Sequence, residues 1–204
     1  MSIRFRVCPT ILVVLLATAV GASAQQDVMC ICLDPMTPDS CGGNAVIPAG
    51  EPTMIYLCLV DPSGTPVLAW LARVTDSRQD GDIIGEWVMN GLDVDMDPDN
   101  YMVAPEPAPA YPNAANVVVL GSMWLRVLDD TAPIEFFVGP IPGDVVFPEG
   151  TPGYTHTLGI NTPATVCSGD YDAPVFSING VVAMDGITWG AIKGAYMSSP
   201  VGGR

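Results

Sequence analysis

The sequence predicts an all-β protein, an antiparallel sandwich of two sheets, with a closed barrel as the alternative architecture. Three observations carry this prediction. Apolar and β-branched residues come in short runs of strand length, turn residues punctuate those runs at close intervals, and no strand alternates with a helix-length period. The chain has 204 residues and is 49% hydrophobic, enough to bury a core, so its 20 prolines and 21 glycines mark turns rather than disorder.

Residues 1–24 read as a cleavable signal peptide. Arg4 and Arg6 supply the positive start, the apolar run from Val7 to Val20 is too short to span a bilayer, and Ala22-Ser23-Ala24 is a small-residue cleavage site. Cleavage leaves residues 25–204 as one expected domain, secreted to the medium or the periplasm, with no segment for membrane insertion. It removes two of the seven basic residues and none of the 22 acidic ones, leaving a formal charge of −17. Such a chain repels nucleic acid and anionic lipid.

The strands follow in order. Val28–Leu33 opens the series, then Thr53–Val60 before the turn Asp61-Pro62-Ser63-Gly64, and Val67–Val74 before the turn at Gln79-Asp80-Gly81. Asp82–Met89 precedes an acidic stretch. In residues 105–112, Pro-Glu-Pro-Ala-Pro-Ala-Tyr-Pro, the four prolines lack ladder donors, and the segment reads as an extended crossover between the two halves of the sandwich. Asn116–Leu120, Met123–Leu128, Ile134–Val138 and Tyr154–Leu158 come next. Val175–Ile178 and Val181–Met184 flank Asn179-Gly180, a type I′ hairpin signal. From about residue 197 the chain reads as a flexible tail.

Five cysteines follow the signal peptide: Cys30, Cys32, Cys41, Cys58 and Cys167. In an oxidising compartment they allow two disulfides and one leftover thiol. Cys32 with Cys41 is the preferred bridge, because it closes a short loop rich in Pro, Asp and Gly. A zinc site on Cys30, Cys32 and Cys41 lacks the usual ligand spacing and a nearby histidine.

The stretch from Gly91 to Glu106 carries the sharpest motif. Counted from Asp95, acidic residues fall at positions one, three and five (Asp95, Asp97, Asp99), Asn100 stands sixth and Glu106 twelfth. This spacing resembles the calcium loop of EF-hand proteins, in which alternate carboxylates and a late glutamate wrap one cation. Asp93 is a spare ligand. The stretch departs from that family where Asn100 replaces glycine and where Pro105 and Pro107 flank Glu106. The other reading is a solvated acidic turn without an ion.

Catalytic residues are sparse. His156 is the only histidine, and Ser168 lacks the surroundings of a known nucleophile motif. Carboxylate catalysis would draw on Glu51, Glu86, Glu106, Glu135 or Glu149. Of the four tryptophans, Trp70, Trp87 and Trp124 lie in apolar strands and are expected in the core, while Trp189 is the candidate for an exposed binding surface.

The first strand running into Leu33-Asp34-Pro35, the apolar strand leading to Asp61-Pro62-Ser63-Gly64, and the closing Trp189-Gly190-Ala191-Ile192-Lys193 resemble secreted bacterial β-sandwich proteins and, more distantly, cohesin-type and immunoglobulin-like modules. That resemblance implies a binding or structural module without an active site. The expectation is therefore a secreted, non-catalytic binding or self-assembling protein, calcium-stabilised at the acidic loop, with a carbohydrate, a protein or its own copies as partner. The alternative is an extracellular hydrolase that works through carboxylates.

Overall fold

A computed structural model of the protein describes residues 26–37, 41–79, 81–147 and 150–180. The proposed signal peptide, the second strand of the Asn179-Gly180 hairpin, Trp189 and the tail lie outside these residues.

Two sheets face each other. The first holds β1 (Val28–Cys32), β3 (Pro52–Val60), β5 (Ile83–Ile84), β6 (Trp87–Met89), β9 (Val117–Val127) and β13 (Thr165–Val166). Its order is β13-β1-β3-β9, and β5 and β6 lie end to end along the far side of β9. The second holds β2 (Asn44–Ala45), β4 (Ala69–Asp76), β7 (Leu92–Asp93), β8 (Asn100–Ala104), β10 (Ile134–Gly139), β11 (Gly153–His156), β12 (Ile160–Pro163) and β14 (Phe176–Ile178). There β4 is central, with β8 and β7 on one side and β10 and β11 end to end on the other. Beyond β10 come β14 and β2, and beyond β11 comes β12.

The two-residue period of a strand sends alternate side chains inward. From the first sheet Met29, Ile31, Ile55, Leu57, Leu59, Met123 and Leu125 enter the core, and from the second Trp70, Val74, Val103, Phe136, Tyr154 and Phe176 meet them. An all-β sandwich is therefore the architecture, as the sequence suggests. It is not wholly antiparallel, however. β1 pairs with β13 and β14 with β2 in parallel, over two residue pairs each. Such short parallel ladders need outside support, and β1 has it in the Cys30–Cys167 disulfide beside the ladder.

The structure departs from the expected elements in three further places. The run 82–89 breaks at Gly85-Glu86 into β5 and β6. A side chain on Gly85 would begin 2.9 Å from the Trp124 carbonyl oxygen, so the break presses directly on β9. The runs 116–120 and 123–128 are one strand, because Gly121-Ser122 continues the ladder instead of turning. Residues 100–104, which fall in the expected metal loop, form β8 and pair with β4. The Pro-rich segment does carry the chain from β8 in one sheet to β9 in the other, and it is anchored midway by paired hydrogen bonds between Val67 and Ala110.

Candidate interaction surface

The irregularity inside β9 decides which residues the first sheet shows to solvent. Leu57 lies opposite Gly121 and Cys58 opposite Val119, so Leu120 is an extra residue, a β-bulge. Before the bulge, Val118 and Leu120 face the core. After it the inward positions are Met123, Leu125 and Val127. One extra residue exchanges the two faces of a strand, and here it turns Trp124 outward, where it is 59% exposed. The expectation that Trp124 packs in the core is thus corrected. Trp70 is fully buried, and Trp87 is half-buried against the core.

Three cross-strand rows build the exposed face. Val88, Ser122 and Tyr56 form one, Trp124 and Met54 the next, and Ile84, Arg126 and Pro52 the third. Val88 and Ile84 are 65% and 63% exposed, so the face is apolar, with Arg126 as its one charge within the rows. On the β1 side it stops where Cys32, Cys58 and Val117 form a small second core, packed by Cys41, Tyr56 and Ala115. Asn113 fastens that cover by donating from Nδ2 to the Pro35 carbonyl at 2.9 Å.

The cysteines under and beside this cover pair as Cys32–Cys41 and Cys30–Cys167. The first is the bridge preferred on sequence grounds. Cys58, directly opposite Cys30 on β3, keeps a free thiol that is fully buried. Burial pushes this thiol up to about 12, because the thiolate would lose its hydration. It cannot form a bond between folded molecules, so the odd cysteine gives no support to self-assembly.

The acidic stretch is the β7–β8 hairpin and its connection. Asp93 Oδ1 accepts from the amides of Asp95 and Met102, Asp95 Oδ1 from that of Asp97, and Asp97 Oδ1 from that of Asp99. Asp99 lies 3.7 Å from Arg73. The carboxylates thus serve as turn acceptors. Asn100 pairs with Arg73 at the start of β8, and the strand then runs extended towards Glu106 instead of curling back. Among the described residues, no group of three acidic, His or Cys side chains is gathered to hold a metal ion. The structure does not bring the loop residues Asp95, Asp97, Asp99 and Glu106, or the spare ligand Asp93, to one point: a strand stands where a coil would carry Glu106 back to the others.

His156 does not meet Ser168. Its Nε2 lies 3.1 Å from the Thr162 hydroxyl, its ring is tilted against Tyr154, and Gly64 lies so close that any side chain there would collide with the imidazole. The Ser168 hydroxyl donates to the carbonyls of Asp170 and Ala173. The buried Tyr154 hydroxyl instead ties three segments together. It donates to Asp27 Oδ1 at 2.5 Å and accepts from the Gly64 amide at 3.0 Å, while Asp27 Oδ1 also accepts from the Ser63 amide at 2.7 Å. Sequence reasoning missed this knot, since nothing local links residues so far apart.

No protein-family model and no curated protein matches the chain. Among solved structures it is similar to the sixth cohesin of scaffoldin B from Acetivibrio cellulolyticus, which was crystallised with a mutant Cel5 dockerin. The identity is 10%, the match covers 76% of this chain and 99% of that one, and the TM-score is 0.45.

Proposed function

We propose that the protein is a secreted, non-catalytic module that binds another protein through the outer face of its first sheet. The observation that carries this reading is the exposed Trp124 beside the half-buried Met54, flanked by the exposed Ile84 and Val88. A contiguous apolar face on a soluble chain is costly unless something covers it. Tryptophan is over-represented among residues that dominate binding energy. The aliphatic neighbours favour a protein over a sugar, since sugar recognition would want polar donors around the ring. The partner is expected to be apolar at its centre and basic at its rim, because the chain after cleavage carries a formal charge of −17.

Two disulfides support an oxidising compartment, and with it the signal peptide reading. The hydrolase alternative has less support. In the cleft of about 630 Å³ the carboxylates, Asp170 and Asp172, come from a single turn rather than from facing walls, and in a second cleft, with Asp76, Glu86 and Asp99, the Asp76 carboxylate is held by Arg78.

The test is affinity capture of co-secreted proteins by the immobilised protein, run beside Trp124→Asp, with calorimetry on whatever is captured. A partner whose affinity falls at least about 30-fold in the variant supports the reading, as expected for a central anchor worth ~2 kcal/mol or more. Capture of nothing, or of the same partners with equal affinity, overturns it.

A further inference from the structure

The outer face of the second sheet, away from Trp124, carries a cleft of about 630 Å³. Its floor comes from β4 and β10, where Arg73 faces Gly139 and Thr75 faces Phe137. These positions alternate with the core residues Ala72, Val74, Phe136 and Val138, so they point away from the core. Gly139 adds no side chain, which keeps the floor low. The turn 170–172 rises beside it as a wall, with Tyr171 Cβ 3.6 Å from where a side chain on Gly139 would begin.

The wall is braced without a ligand. Asp170 Oδ1 accepts from the Asp172 amide at 3.0 Å, and the Asp170 carbonyl accepts from the Ser168 hydroxyl at 2.7 Å. The Tyr171 hydroxyl donates to the Ala164 carbonyl at 3.3 Å, which fixes the ring while using up its polar end. What remains for a ligand is specific. The Asp172 carboxylate and the Thr75 hydroxyl have no partner among the described residues. Arg73 has only the loose contact with Asp99 at 3.7 Å, both side chains being nearly half exposed.

We infer that this cleft binds a neutral oligosaccharide. An anionic ligand would meet Asp170 and Asp172 at close range. A small cation would be repelled by Arg73 and would leave the Phe137 and Tyr171 rings without a role. A pyranose matches both kinds of group at once. Its C–H face packs on an aromatic ring, and its hydroxyls donate to a carboxylate and accept from a guanidinium. The cleft volume falls in the ordinary range for ligand sites, ~300–1,000 Å³.

The test is saturation-transfer NMR and calorimetry on the purified protein with cellohexaose, xylohexaose and mannohexaose as neutral probes. Hexagalacturonate and hexameric chitosan serve as the anionic and cationic arms. At least one neutral probe should show transfer from aromatic protons, with affinity falling tenfold or more in Asp172→Ala and in Phe137→Ala and unchanged in Trp124→Ala. Asp172 is exposed, so that variant keeps the test valid if Phe137→Ala fails to fold. Silence from all three neutral probes, stronger binding by a charged arm, or loss of binding in Trp124→Ala but not in Asp172→Ala overturns the inference.

Discussion

Trp124 on β9 sits directly opposite Met54 on β3, on the solvent side of the first sheet. The pair is there because Leu120, upstream of it on β9, is left out of the ladder as a bulge. Trp70, by contrast, is fully buried in the core. The two tryptophans therefore separate function from stability. Trp124→Ser should shift unfolding free energy by no more than ~0.5 kcal/mol, as for other surface substitutions. Trp70→Ala should cost ~3–5 kcal/mol. Urea denaturation of both variants checks this, and comparable losses would place Trp124 in the core after all.

Removal of the bulge tests the same geometry. Deleting Leu120 leaves Val119 opposite Cys58 and Gly121 opposite Leu57, so the ladder becomes regular with Met123, Leu125 and Val127 still inward and Trp124 still outward. What is lost is one buried leucine side chain, at a cost of ~2–5 kcal/mol against the ~5–15 kcal/mol margin of an ordinary domain. The expected outcome is a folded chain with a lower urea midpoint and its near-ultraviolet circular dichroism signal kept; loss of that signal would mean that the register of β9 does not survive without the bulge.

Much of this architecture was legible in the sequence, and the failures share a cause. Val28–Cys32, Pro52–Val60, Ala69–Asp76 and Ile134–Gly139 are apolar runs bounded by turn residues, so period and punctuation locate them within a residue or two. The two-residue strands β2, β5, β7 and β13 are too short to have a period. β8 has no local signal of its own, because Asp95, Asp97 and Asp99 give the stretch before it an alternate-carboxylate spacing, while the pairing of Asn100–Ala104 with β4 is a long-range fact. Trp124 was misjudged for a subtler reason. The side it faces depends on parity across Gly121-Ser122, and a bulge leaves little trace in composition. The cleft at Arg73 and Asp172 joins residues about a hundred positions apart and had no local signal at all.

The acidic hairpin yields a prediction about calcium. With no three carboxylates gathered and Glu106 carried off along β8, binding should be no tighter than the ~10⁻⁴–10⁻³ M of loose extracellular sites. Glu106→Gln should leave it unchanged. Calorimetric titration with a parallel thermal melt checks both statements. Micromolar affinity lost in Glu106→Gln would restore the twelve-residue loop.

The disulfides differ in what they hold. Cys30–Cys167 closes a separation of 137 residues and Cys32–Cys41 one of 9. In the chain-entropy view the long closure contributes more, ~4–5 kcal/mol against ~2–3 kcal/mol for the short one. Replacing both cysteines of each pair by alanine and comparing urea midpoints tests the order. Cys58 should stay unreactive towards a thiol reagent in the native protein and react fully in denaturant.

Alkaline pH should destabilise the protein through three acids, Cys58 and Tyr154 buried and Tyr101 half-buried. Cys58 is raised from 9.0 to about 12, and Tyr101 from 10.0 to about 12, in both cases first through burial. Tyr154 is raised as well, through burial and then through its bond to Asp27. In each case the unfolded chain releases its proton at lower pH than the folded one. The unfolded state therefore binds fewer protons above pH 9, and stability falls as pH rises. The contribution of these groups is intact below pH 9 and declines from there to about 12. Cys58→Ala should remove the earliest part of the decline, between pH 9 and 10, and leave the tyrosine part in place. Urea midpoints measured from pH 7 to 11 in the wild type and this variant decide it. Identical curves would mean that the thiol titrates alike in the folded and unfolded chain, against its complete burial beneath the Asn113 cover.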